Sequence, residues 1–512
     1  METSEVVVAN NQPSGDTGKA AVDEVIYVVS DLHMSEGLAA RVRSRPSLLR
    51  RVWRWCASLF EYDVPTKISP LNPLEDFPDD RVFVRFLDKA VSLHGSAPLL
   101  RLRLLGDMFD PLAVSINGHF SVPPYEETGV LQMSKIIDGH ADFFDALFRF
   151  VRRPNCRLDI FAGNHDLILV WKKVQELVRA RIAGTDAEAA SRIRFIDHSS
   201  EFMDLHRGVL YYHGMNAEAQ NRVDPEAVIL TKRFGVPIER PILNQPYGSY
   251  LACGPMISLK QKNPLIGRLL NYRGLWKNAA LHRWGWTFYA GAVLMWSFVF
   301  NALFAFWDIR RKSSIRNTLR IVLETFTACR IDEYAKRLRQ ERGAKAIIMG
   351  HTHEWRRTSD PDGTYVNTGS WTLMYRLVEP LIELKWRRLR CFELPVRVLL
   401  HFVQTGELRL ARQITKMSGW AALVGAMTVF LFTSFPKEGW RIWEYGLADL
   451  KTPIAIMLVF ALISGFIRIF AVRLSVESIQ RLTYGLVKHR GEEFSIDLME
   501  YLPEEDAFRE CV

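Results

Sequence analysis

Five short apolar runs along the chain each stop at a compact polar cluster. Residues 24–29 lead into Ser30-Asp31-Leu32-His33, residues 99–105 into Gly106-Asp107-Met108-Phe109-Asp110, and residues 157–162 into Gly163-Asn164-His165-Asp166. Residues 209–212 lead into His213-Gly214, and residues 346–349 into Gly350-His351-Thr352-His353. Runs this short, bounded by turn residues and separated by helical periodicity, predict buried strands of an α/β domain. In such a sheet, ligands gather beyond the carboxyl ends of the strands. All five clusters lie at that end of their runs. A sixth run, 364–366, leads into Asn367-Thr368-Gly369-Ser370-Trp371 and reads as one more strand of the same system. There is no internal repeat.

Three longer stretches follow another pattern. Residues 284–307 and 417–436 carry no charge, and 452–472 carries only Arg468. A membrane-crossing helix needs about 20 apolar residues, so the last two predict a transmembrane hairpin. Arg409, Arg412 and Lys416 precede it, and Arg473, Arg481 and Lys488 follow it. Basic flanks on both sides put its two ends, and the α/β domain with them, in the cytoplasm. The stretch 284–307 lies between His213 and His351. A single crossing there would separate a pair of residues expected to share one site, so it is expected to lie in the interface, to dip in as a bent hairpin, or to pack on the C-terminal pair. The predicted organisation is a disordered tail (1–22), a core made of two segments (23–215 and 345–385), a helical insertion between them (216–344), and a basic, membrane-associated C-terminal region (386–512).

Composition narrows the picture. The chain has 512 residues, 48% hydrophobic and 24% charged, which suits a folded protein of more than one unit. Its net charge is +9. The basic positions flank the apolar stretches, so acidic lipid headgroups account for them without nucleic acid. The six cysteines are scattered with no Cys-x-x-Cys pair, so neither a zinc knuckle nor a disulfide framework is indicated. A reducing compartment is expected. The first residues lack the basic-then-apolar order of a signal peptide.

Taken in order, Asp31-x-His33, Gly106-Asp107-x-x-Asp110, Gly163-Asn164-His165-Asp166, His213 and Gly350-His351-x-His353 resemble the motif set of the calcineurin-like metallophosphoesterase superfamily. The resemblance covers 23–215 and 345–385. It implies an αββα sandwich and a pair of divalent metal ions. One ion would be held by Asp31, His33, Asp107 and His353, the other by Asp107, Asn164, His213 and His351, with Asp107 bridging. A water shared by the two ions would attack phosphorus in line. His165 would stabilise the phosphoryl oxygen or protonate the leaving group. Asp166 is expected to orient His165, and Asp110 to support the site from behind its ligands. Carboxylate, amide and imidazole donors suit Mn²⁺ first, with Fe or Zn²⁺ as alternatives. His119, His140, His198, His206 and His282 match nothing and read as surface or core histidines. Asn216, Asn221, Arg222 and Asp224 read as a polar loop or a cleft lining.

The chain is also similar in outline to the UDP-2,3-diacylglucosamine hydrolases, which set such a core and a helical lid against the membrane. It departs from them in carrying His165 where they carry arginine, and in its C-terminal hairpin. The expected activity is hydrolysis of a phosphate ester or pyrophosphate bond at a membrane, with a lipid-linked or nucleotide-linked substrate favoured and no specific nucleic acid. Two alternatives stay open: a membrane-tethered phosphodiesterase or nuclease on soluble substrates, and a catalytically silent membrane-anchored scaffold. The oligomeric state is open.

Overall fold

Alternation along each strand decides which layer its side chains join. In strand β1 (Glu24–Val29), Val25, Tyr27 and Val29 pack with the helices, while Ile26 and Val28 pack on a second sheet. The structure, a computed structural model, describes residues 21–38, 72–233, 236–261, 269–270, 331–372, 374–377, 381–384, 470–473, 476–479 and 481–511. Within them the chain is a mixed α/β fold with two principal sheets.

In the first sheet, β1, β2 (Leu99–Leu104), β3 (Cys156–Phe161) and β4 (Ile193–Ile196) run parallel. In the second, β5 (Met203–His206) and β6 (Val209–Tyr212) form an antiparallel hairpin. Beside β6 lies β7 (Ala346–Met349), with β8 (Arg356–Asp360) and β9 (Gly363–Asn367) beyond it, in the order β8-β9-β7-β6-β5. The sheets meet face to face: Ile26, Val28, Leu105, Phe161 and Ile196 share a buried cluster with Val209, Tyr211, Ala346, Ile348 and Val366. Helices α1 (Asp80–His94), α2 (Glu126–Gly139), α3 (Ala141–Val151) and α4 (Lys172–Ala183) pack with the outer face of the first sheet. Helix α5 (Ile331–Glu341) contacts β7 and β9 of the second and buries Ile331, Ala335 and Leu338.

Three readings of the sequence need correction. First, the core does not end at residue 385. Strands β10 (Leu482–Arg490), β11 (Glu493–Leu502) and β12 (Ala507–Glu510) complete a seven-stranded first sheet in the order β12-β11-β10-β1-β2-β3-β4. They cover the edge of β1 that would otherwise expose unpaired backbone groups. Trp371 Nε1 donates to the Thr483 carbonyl at 2.8 Å, and Phe86 of α1 lies edge-on to Trp371, Tyr484 and Tyr501, which fastens the late strands to the core.

Second, the insertion is not purely helical. It includes an antiparallel hairpin, Ile229–Arg233 with Val236–Leu243, before a short helical run from Tyr247 to Lys260. Helix α5, also assigned to the insertion, belongs to the core, because its one apolar stripe needs the second sheet to cover it. Third, Phe470–Arg473, counted with the last apolar stretch, is a strand paired with Leu381–Leu384. Among the described residues no helix is long and apolar enough to cross a membrane. Residues 284–307, 417–436 and 452–469 lie outside the described residues, as do residues 1–20 of the tail.

Candidate metal centre

The polar clusters leave the carboxyl ends of β1, β2, β3, β6 and β7, so strand pairing gathers side chains that the chain keeps far apart. The backbone at these ends is unusual. Asp31, His33, Asp107, His351 and His353 all have positive φ, between 51° and 75°. Non-glycine residues seldom adopt this region, and where they do the strain is held in place by their surroundings. Space is equally tight: a Cβ on Gly163 would run into the Asp107 carboxylate, and one on Gly350 into Asp31 and Ser30.

Two groups of donors result, with Asp107 beside both. In the first, His33 Nε2 and His353 Nε2 are 3.0 Å apart and lie 3.8 and 3.4 Å from Asp31 Oδ1. The other carboxylate oxygen of Asp31 accepts from Ser30 Oγ and from the backbone N–H of His351. In the second group, His213 Nε2 lies 3.1 Å from Asp107 Oδ2 and 3.2 Å from Asn164 Oδ1. His213 Nδ1 faces the Leu105 carbonyl at 2.9 Å. A carbonyl only accepts, so Nδ1 carries a proton and Nε2 is the nitrogen that faces the cluster, where a cation would take the place of its proton. His351 is arranged the other way round. Its Nε2 lies 3.2 Å from the Glu218 carboxylate, which leaves Nδ1 with the lone pair.

Two buried polar atoms here have no hydrogen-bond partner: Asp31 Oδ1 and His351 Nδ1. One belongs to each group, and each is an electron-pair donor. Stranding such atoms is costly, and a cation in each group would pair both. The local charge points the same way. Burial would raise the carboxyls, but the surrounding histidines hold Asp31 and Asp107 well below the usual carboxylate range. Burial would lower His213, yet Asp107 raises it to about 9. The site therefore attracts positive charge. These buried His/Asp clusters have the spacing to hold metal ions.

His165 stands at the rim, its side chain 24% exposed and edge-on to His33. Its Nδ1 is 3.1 Å from Asp110 Oδ1, and its backbone N–H donates to Asp107 at 2.8 Å. Burial works against the charged ring, but Asp110 and Asp107 raise it to about 9. The expectation for Asp166 needs correction. Its carboxylate accepts from the backbone N–H groups of Gly163, Met108 and Phe109 and is turned away from His165. It fastens the turns after β2 and β3 together, and Asp110 is the carboxylate that orients His165.

Sequence reasoning missed Glu218. Its neighbours Asn216 and Asn221 sit in the polar loop after His213, and nothing in Glu-Ala-Gln-Asn separates a half-buried partner of His351 from a solvated turn. Asn221 Nδ2 donates to Glu218 at 2.8 Å and lies 3.5 Å from His351 Nε2. Asn367 and Trp371 take core roles, Asn367 by donating to the Gly350 carbonyl at 2.7 Å. No family model, no curated protein and no solved structure matches this chain.

Proposed function

We propose that the protein is a two-metal phosphoesterase of the calcineurin-like kind, acting at a membrane on a phosphate ester or pyrophosphate bond. The observation that carries this reading is the pair of buried electron-pair donors without a hydrogen bond, Asp31 Oδ1 and His351 Nδ1, one in each half of a cluster joined by Asp107. Two packed sheets with helices outside them are the architecture such an enzyme is expected to have, and this supports the reading.

Asp31, His33, Asp107 and His353 would hold one ion, and Asp107, Asn164, His213 and His351 the other. Mn²⁺ fits these donors best, with Fe or Zn²⁺ as alternatives. A bound pair of divalent cations supplies Lewis-acid polarisation of the phosphoryl group and an acidified water. The protein's own contribution is positional. Asp107 would offer its charge to both cations, and Gly163 leaves its carboxylate the room it occupies. His165, protonated through Asp110, holds a proton at the rim where a leaving oxygen departs. A lipid-linked substrate fits the apolar stretches of the sequence.

The test is Mn²⁺-dependent turnover of a chromogenic phosphodiester and of a nucleotide-linked lipid by three purified chains. Wild type is expected to turn over. Asp107→Asn is expected to lose metal and activity together. His165→Ala is expected to keep its metal and slow by roughly 10²–10⁴-fold. A wild-type chain that binds no metal would overturn the reading. Full activity in His165→Ala would remove that residue's role alone.

A further inference from the structure

At the end of the sandwich away from this cluster, three side chains from three strands converge. Glu24 opens β1, His489 is its cross-strand partner on β10, and His206 closes β5 of the other sheet. The extended chain from Glu24 to Asp31 spans roughly 20 Å, so the two places share no group. One donor atom from each of the three lies within 4.8 Å of the others. Glu24 is 2% exposed and His489 fully buried, while the His206 side chain is 26% exposed and reaches solvent.

His489 is the member that needs explaining. Both ring nitrogens are buried, and neither has a hydrogen-bond partner. A position that required only a flat ring would take phenylalanine and strand nothing. Glu24 Oε2 lies 2.7 Å from His206 Nε2, so these two already face one another beside the orphaned imidazole. The nearby arginines are occupied. Arg101 Nε holds the other oxygen of Glu24 at 2.8 Å, and the same guanidinium pairs with Asp159 at 3.1 Å. Arg207 pairs with Asp23 at 2.8 Å and donates to the Gly491 carbonyl, reaching Glu24 Oε2 only at 3.5 Å. Each guanidinium thus has a second carboxylate besides Glu24, although Arg101 shares Asp159 with Arg103 and Arg194.

We propose that Glu24, His206 and His489 form a separate cation site for Zn²⁺. Two imidazoles and one carboxylate are a borderline-soft set that suits Zn²⁺, with the fourth tetrahedral position left to water beside His206. The site joins β1, the C-terminal strand β10 and the second sheet, so its effect is to cross-link the two sheets and the two ends of the described core.

The experiment counts zinc per chain in the purified full-length protein after dialysis against micromolar Zn²⁺, for wild type, His206→Ala and His489→Ala. Thermal unfolding is followed in the same buffers. The readout is a difference, so it stands whether or not the central cluster binds metal. His206 is partly exposed, and His206→Ala therefore serves even if His489→Ala fails to fold. Wild type is expected to hold one zinc more than His206→Ala and to gain more thermal stability from zinc. Equal zinc in wild type and His206→Ala, as an ordered water at His489 would give, overturns the proposal.

Discussion

His351 presents Nδ1 to the cluster because its Nε2–H donates to the Glu218 carboxylate, which can only accept. Burial opposes the charge on Glu218, but the hydrogen bond from His351 keeps its carboxyl down at about 2. On the two-metal reading, Glu218→Ala frees the ring to turn and raises the Mn²⁺ concentration for half-activation by roughly 10–100-fold. Turnover at saturating Mn²⁺ is expected to return, and Glu218→Asp to recover some of the affinity. An unchanged half-activation concentration would show that Glu218 does not position His351. The contrast with the seven donors explains what was legible. Asp31, His33, Asp107, Asn164, His213, His351 and His353 stand where an apolar run meets a turn, and that context marks them in the sequence. Glu218 stands in a loop among polar residues, and its contact with His351 depends on how that loop folds back. Asp166 shows the converse. Its sequence position beside His165 suggested a partnership, whereas its carboxylate is taken up by three backbone N–H groups.

Among the elements, the join between α2 and α3 is a clamp with a pH dependence. His140 Nδ1 lies 2.6 Å from Asp80 of α1, and its Nε2 lies 3.2 Å from Glu75. Glu75 in turn accepts from the backbone N–H groups of Ser35 and Gly37, just beyond His33. Burial alone would lower the pKa of His140, but the two carboxylates raise it to about 9. A raised folded-state value means that the stabilisation is complete below the ordinary histidine range, near 6.5, and is lost as pH rises through about 9. The stability lost in His140→Ala is therefore expected to be on the order of 2 kcal/mol at about pH 6 and smaller at about pH 10. Urea unfolding at the two pH values checks this, and a pH-independent difference would refute the clamp. The late strands carry the other lesson at this scale. Leu482, Tyr484 and Leu486 alternate with period two, as do Phe494, Ile496 and Leu498, so a strand pattern was present in the sequence. The long apolar stretches before them drew the whole C-terminal region into one membrane reading. Only the pairing of β10 with β1 shows where the pattern belongs.

For the whole molecule, the late strands change how the membrane reading is tested. Removing everything after residue 385 would strip the first sheet of β10, β11 and β12 and leave the edge of β1 open. Replacing residues 391–469 with a flexible linker keeps these strands. On the membrane reading, that chain is expected to retain its fold and its metal while floating less with vesicles of acidic lipid than wild type does. Equal flotation of the two chains would place the membrane contact elsewhere. The sequence by itself determined the strands that lead into the polar clusters, the ends at which those side chains gather, and which residues there can donate to a metal. These are local facts, set by run length, alternation and turn residues. The tertiary structure decided which carboxylate orients His165, which one holds His351, and that β1 pairs with a strand more than 450 residues later, Glu24 facing His489. These depend on register and packing between segments distant in the chain, and no local pattern encodes how such segments meet.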